Sequence, residues 1–137
     1  MIQGTLVADI TMHATAKALA TYWSQGINVV PVSSIKIVDD SIRLINYFMS
    51  KTVQNIQDNN DVSLVCRKDM IGYQIKATAE YLQMGDRYDQ ACKWIAPLHP
   101  ERKIKGLIVL HPTEIHDIAP TKNSEEVRVQ QLQKEHA

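Results

Sequence analysis

The chain of 137 residues is poor in the residues that mark specialised classes. It has only two cysteines, Cys66 and Cys92, one phenylalanine and five glycines. So few thiols exclude a disulfide-stapled scaffold, and both lie on apolar faces, as buried free thiols of a reducing compartment do. Charge of one sign is missing as well: 15 Lys and Arg balance 15 Asp and Glu. Such a balance leaves no basic footprint for nucleic acid. No apolar run reaches the roughly 18 residues that a membrane helix requires. Met1–Asp9 lacks the basic-then-apolar order of a secretory leader, so a cytoplasmic location is expected. His13, His99, His111, His116 and His136 form no HxH or helical i, i+4 pair, so no metal centre is expected. No glycine-rich run precedes a lysine, which argues against a nucleotide triphosphatase, and no nucleophile elbow is present. No side chain stands out as a general acid or base.

What the chain does have is 45% apolar residues, enough for the core of one domain. We expect that domain over residues 1–119, followed by a polar tail over 120–137. Met1–His13 is ambiguous between helix and strand: Ile2, Leu6 and Ile10 have helical spacing, but Gly4 and β-branched residues oppose it. Thr15–Trp23 reads as a strand, Ser24-Gln25-Gly26 as a turn, and Ile27–Val38 as one long strand with Pro31 at an edge or bulge. Asp39-Asp40 turns the chain into a third strand, Ser41–Phe48. A short helix, Ser50–Asn59, follows, with Met49, Val53 and Ile56 as its apolar stripe. Asp61–Arg67 and Gly72–Tyr81 are strands four and five. Tyr73, Ile75, Ala77, Ala79 and Tyr81 share one face of strand five. Gly85-Asp86 opens a second helix, Arg87–Ile95. Gly106–Ile118 is a sixth strand, bent at Pro112. This order gives a mainly β fold with two or three helices: a small six-stranded antiparallel barrel with helices in its connections.

The segment with the most chemistry is Met49-Ser50-Lys51-Thr52, where the first helix begins. Ser50 can cap that helix, and the leading N–H groups with the helix dipole favour an anion. Lys51 adds a charge and Thr52 a hydroxyl donor. The bland alternative is a capped surface helix with an exposed lysine. Tyr47 and Phe48 can shield a flat ring or belong to the core. Val32-Ser33-Ser34 beside Pro31 can meet a polar ligand or alternate in and out of an edge strand. Arg67-Lys68 and Arg102-Lys103 read as solvated surface.

Three blocks carry a family resemblance. The first is Gly26 with Val30-Pro31-Val32. The second is Lys51-Thr52-Val53-Gln54-Asn55-Ile56 followed by Asn59-Asn60-Asp61-Val62-Ser63-Leu64. The third runs from Gly72 to Tyr81. In their order and spacing the chain resembles the pyridoxamine 5′-phosphate oxidase-like, FMN-binding split-barrel superfamily, especially its small FMN-binding proteins. The resemblance implies a homodimeric split barrel with FMN in the grooves between subunits. It implies that Lys51 and Thr52 hold the phosphate and that Tyr47, Phe48, Met49 and Ser50 line the flavin. Pro31, Val32, Ser33 and Ser34 would run beside the ring, with Asn55 supporting the site from behind. The long basic motifs of true pyridoxamine phosphate oxidases are absent, so that activity is not expected. An FMN-dependent oxidoreductase or electron carrier is the expected function. The alternatives are a barrel of the same kind that binds deazaflavin or haem, with His111 or His116 as axial ligand, or a non-catalytic flavin-binding protein.

Overall fold

A computed structural model describes residues 5–118. Helix α1 (Leu6–His13) precedes strands β1 (Ala16–Trp23), β2 (Gly26–Pro31), β3 (Ile35–Val38) and β4 (Ser41–Asn46). Helix α2 (Ser50–Asp58), strands β5 (Asp61–Lys68) and β6 (Ile71–Leu82), helix α3 (Asp86–Ile95) and strand β7 (Gly106–Asp117) complete the order. The seven strands form one sheet in the order β2-β1-β5-β6-β7-β4-β3, with every pairing antiparallel. Strands β2 and β3 are the two edges and do not pair, so the sheet rolls into a barrel that stays open. The polar tail expected over 120–137 lies outside the described residues.

The segment expected as one strand, Ile27–Val38, is two. After Pro31 the chain leaves one edge and re-enters the sheet at the other, which raises the strand count from six to seven. Nothing in its apolar composition marks the break. Pro31 nevertheless stands where a residue without an N–H belongs, at the end of an edge strand. Ambiguity at the N-terminus resolves as α1, capped by Thr5, whose Oγ1 accepts from Ala8 N–H at 3.3 Å. Val7, Ile10 and Thr11 face the core, while Leu6 is exposed. The Asp39-Asp40 turn forms as expected, with both residues at positive φ, the geometry of a two-residue hairpin. The bend in β7 is a bulge: Lys76 pairs with Glu114 and Ala77 with Pro112, leaving Thr113 as the extra residue.

Alternation sorts each strand into two faces. Leu19, Leu44, Leu64, Ile75 and Ile108 fill the barrel interior, and α1 closes one side with Val7 and Ile10. A second, smaller core lies on the outer face, where α3 places Ala91 and Ile95 over Ile45, Leu107 and Val109. This is why all six residues of β4 are buried: one face lines the barrel and the other is covered by α3. Among the described residues no such cover lies over the outer face of β1 and β2. Ile27 is 82% exposed and Val29 62%, and Tyr22 beside them is also exposed. Hence the most apolar stretch of the sequence is half outside.

Candidate functional site

The site is built where β4 ends and α2 begins. Asn46, the last residue of β4, is buried, and its Oδ1 accepts the Met49 N–H at 2.6 Å. Its Nδ2 donates to the Tyr81 hydroxyl at 2.8 Å. Met49 occupies the helix N-cap position without a side-chain cap. Ser50 was expected there; it is instead the first helical residue, because the Asn46 side chain already secures the turn. The first intrahelical bond is Val53 N–H to Met49 C=O, so the amides of Ser50, Lys51 and Thr52 precede the ladder. No acidic residue stands in that first turn, which leaves the positive end of the dipole unopposed from within the helix.

The expected site residues separate into two groups. Phe48, Ser50 and Lys51 are exposed around the helix start, with Met49 half-buried behind them. Phe48 is 87% exposed. Thr52 and Asn55 turn the other way and are fully buried. Thr52 Oγ1 accepts from Asn28 Nδ2 at 2.8 Å. Asn55 Oδ1 accepts the Gln25 N–H at 2.9 Å, and its Nδ2 reaches Thr21 Oγ1 and the Gly26 carbonyl, each at 3.1 Å. These bonds tie α2 to the β1–β2 hairpin, so the buried face of the helix is Thr52, Asn55 and Ile56 rather than an apolar stripe through Met49 and Val53. Tyr47 is buried as well; its hydroxyl shares a 3.0 Å hydrogen bond with Ser34 Oγ. That bond joins the β2–β3 crossover to the residues before α2. Of the crossover, Val32 and Ser34 are buried, and Pro31 and Ser33 are exposed.

Sequence reasoning missed the opposite wall. A cleft of about 470 Å³ lies beside the helix start, lined by Asn46, Ser50, Val53 and Gln54 on one side. Tyr81, Gln83, Lys103, Ile104 and Lys105 complete it. The strap from Glu101 to Lys105 is anchored through its backbone. Lys105 N–H donates to the Asn46 carbonyl at 2.9 Å, and the Lys105 carbonyl accepts from Tyr81 Oη at 3.3 Å and Gln83 Nε2 at 3.1 Å. Arg102, read from sequence as solvated surface with Lys103, lies 5.2 Å from the Tyr47 ring centroid, and Lys105 Nζ lies 5.3 Å from that of Phe48. The only signal for this wall was the density of cations in Arg102-Lys103-Ile104-Lys105. Its placement opposite Ser50 depends on β7 pairing with β4.

The imidazoles weighed as haem ligands lie elsewhere, on β7. His111 Nε2 is 2.5 Å from Glu80 Oε2, and His116 Nε2 is 3.0 Å from Glu114 Oε2. Arg87 grips the same Glu80 through both carboxylate oxygens, at 3.1 and 3.2 Å. Hydrogen bonding from Arg87, then from His111, holds the Glu80 carboxyl down at about 2. Among the described residues no group of His, Cys, Asp and Glu can hold a metal ion. Cys66 is buried, and desolvation pushes its thiol up to about 11, as befits an inert core residue. No helix among the described residues is long and apolar enough to cross a membrane.

Comparison with known proteins gives the fold and the family. The chain is 36% identical over 106 residues to an uncharacterised protein of Methanocaldococcus jannaschii, covering 73% of this chain and 70% of that one. HupZ of Group A Streptococcus superposes with a TM-score of 0.72 at 22% identity, over 85% of this chain and 94% of its own. An FMN-binding protein from Syntrophomonas wolfei gives 0.69 at 16% identity, over 85% and 88%. The fold also recurs in an F420 reductase, with a TM-score of 0.61 at 15% identity over 78% and 93%. HutZ, a haem storage protein of Vibrio cholerae, gives 0.61 at 15% identity over 81% and 91%. At these identities the solved structures establish the split-barrel fold and leave the cofactor open. The profile of the pyridoxamine 5′-phosphate oxidase family matches residues 7–119, and the chain belongs to that family.

Proposed function

We propose that this protein is an FMN-binding flavoprotein that works as a homodimer, as an oxidoreductase or electron carrier in a reducing, cytoplasmic setting. The observation that carries the reading is the cleft at the start of α2. It sets Ser50, in the first turn of α2, opposite Lys103 and Lys105, and the exposed Phe48 ring stands beside Lys105. FMN presents a phosphate, a polyol chain and a flat ring. The helix amides with Lys51 suit the phosphate, Gln54 and Gln83 suit the hydroxyls, and Phe48 suits the ring. Thr52, fully buried and accepting from Asn28 through its hydroxyl, braces the helix start from behind. A cleft of about 470 Å³ has the size of a cofactor site. When bound, the flavin supplies the hydride and electron chemistry; the chain binds it, orients it and restricts water.

A second copy of the chain accounts for the uncovered outer face of β1 and β2, where Tyr22, Ile27 and Val29 are exposed together. The cations around the cleft also suit the longer anionic tail of a deazaflavin, so a parallel titration with F420 belongs in the test. No comparable feature favours haem, since the Nε2 atoms of His111 and His116 already face carboxylates. The test is an absorbance spectrum of purified protein before and after adding FMN, with gel filtration to remove free flavin. Retention of about one FMN per chain, in a species of dimeric mass, is expected. A folded protein that retains no FMN, or retains F420 in its place, overturns the reading.

A further inference from the structure

Helix α3 is fastened to the sheet less firmly than its length suggests. Of its ten residues only Ala91 and Ile95 are buried, and they sit in the second core, apart from the barrel interior. Its two flanks reach different neighbours. On one, the Tyr88 hydroxyl donates to the Ile104 carbonyl at 3.3 Å, which joins the helix to the strap that walls the cleft. On the other, Gln90 Oε1 accepts from Arg43 Nη1 at 2.8 Å, and the Trp94 ring lies 5.6 Å from Lys36 Nζ. Arg43 is only 8% exposed, so its guanidinium is held away from water. Yet Gln90 is neutral, Arg43 Nε has no partner, and among the described residues no carboxylate pairs with Arg43. A buried charge held by an amide alone opposes the docking that buries it, and the penalty ends when water returns. The ends of the segment are better secured than its middle. Gly85, at φ +96° with open space around it, precedes α3 without a side-chain cap. Just beyond it, Arg87 is held by both oxygens of Glu80 on β6. At the other end, Lys105 is tied to Asn46, Tyr81 and Gln83.

We propose that α3 and the strap as far as Ile104 form a lid that opens as one unit between the Arg87 and Lys105 anchors, and that Arg43 sets how readily it opens. A segment that buries little apolar surface between two fixed points is where opening short of global unfolding occurs. Lifting the lid returns the Arg43 guanidinium to water and takes Lys103 and Ile104 away from the cleft they line. The barrel core and the Asn46 anchor stay in place. A ligand in the cleft meets that wall only in the closed state, so occupancy holds the lid shut by linkage. The inference rests on the FMN reading only for the identity of that ligand.

Native-state amide hydrogen exchange in low urea tests it. In the unliganded protein the amides of residues 91–96 should exchange through one common opening. Its urea dependence should be smaller than that of the Leu64 and Ile75 amides in the barrel, and its exchange faster on the order of tenfold or more. Arg43→Met replaces the buried charge with an apolar chain of similar reach and should slow exchange of residues 91–96 on the order of tenfold. FMN at about a hundred times its Kd should slow the same amides on the order of a hundredfold. The wild-type profile needs no variant to fold. Amides of α3 that exchange only together with the barrel, in a single global opening, refute the lid. Protection gained in Arg43→Met by strand amides alone refutes the role of Arg43. FMN that binds and leaves exchange of residues 91–96 unchanged refutes the gating while leaving the FMN reading intact. A protein that binds no FMN overturns the FMN reading, and the unliganded profile with Arg43→Met then decides the lid by itself.

Discussion

Gly106→Ala tests how the cleft is held in shape. Gly106 has no positive φ, so its backbone imposes no demand for glycine. The demand is steric: a Cβ there would fall on the Tyr81 ring, in collision with Oη and Cζ and 2.5 Å from Cε1. The backbone of β7 cannot retreat, since Gly106 pairs with Asn46 of β4, so the ring must move. When it moves, the Tyr81 hydroxyl leaves Asn46 Nδ2 and the Lys105 carbonyl. Asn46 is buried, so its amide loses a partner that water replaces poorly. Overpacking costs about 1–3 kcal/mol, and an orphaned buried amide about another 1–3 kcal/mol. We expect a total of roughly 2–6 kcal/mol in urea unfolding, with the midpoint lowered and the slope unchanged. Tyr81→Phe, which removes the hydroxyl alone, should cost only about 1–2 kcal/mol. The cycle with Tyr81→Ala is the decisive part: without the ring, adding a methyl at Gly106 should cost little, which gives a large coupling energy. A Gly106→Ala protein within about 0.5 kcal/mol of wild type, or one equally destabilised in both backgrounds, refutes the reasoning.

Lys51→Ala should leave unfolding nearly unchanged and weaken FMN binding by about 1–3 kcal/mol in a fluorescence titration. Thr52→Ala should show the reverse emphasis, losing about 1 kcal/mol of stability as Asn28 is left unpartnered at the buried hydroxyl. Asn55→Ala removes the bonds to Gln25, Thr21 and Gly26 and should cost about 2–4 kcal/mol in urea unfolding. The Glu80 carboxyl, depressed from 4.5 to about 2 first by Arg87 and then by His111, contributes stability that is present above 4.5 and lost as pH falls towards 2. Its side chain is 40% exposed, so solvent screening limits that contribution to about 1 kcal/mol; the acid limb of the stability curve should flatten correspondingly in Arg87→Gln.

Strand five was legible because its period is its cause: Tyr73, Ile75, Ala77 and Ala79 are buried where alternation places them. The β3–β4 turn was legible because adjacent aspartates tolerate the positive φ it requires. The crossover after Pro31 was not, because apolar residues on both sides serve different strands and only long-range pairing separates them. The contact of the Thr52 hydroxyl was hidden in a related way: it accepts from Asn28, a residue distant in sequence. Asn46 was passed over because an asparagine at the end of a strand is locally unremarkable. Its importance lies in bonding to Met49, Tyr81 and Lys105 at once.

Those bonds explain how a small open barrel can hold a site without a large dedicated cavity. The sheet closes neither edge, so the cleft takes its rigidity from neighbours rather than from the barrel. Asn46 joins the end of β4 to the helix start, to β6 through Tyr81, and to the strap through its own carbonyl. Gly106 permits that convergence by leaving room for the Tyr81 ring. On the far side, Thr52 and Asn55 fasten α2 to the β1–β2 hairpin, whose outer face is left uncovered by the described residues. A partner seated on that hairpin would therefore press on the same helix whose first amides face the cleft. Dimer formation and ligand affinity should consequently be coupled. A charge at Val29, such as Val29→Lys, should lower both the dimer fraction in sedimentation and FMN affinity at low protein concentration, although Val29 itself does not line the cleft. Loss of the dimer with unchanged FMN affinity would place the whole site within one chain.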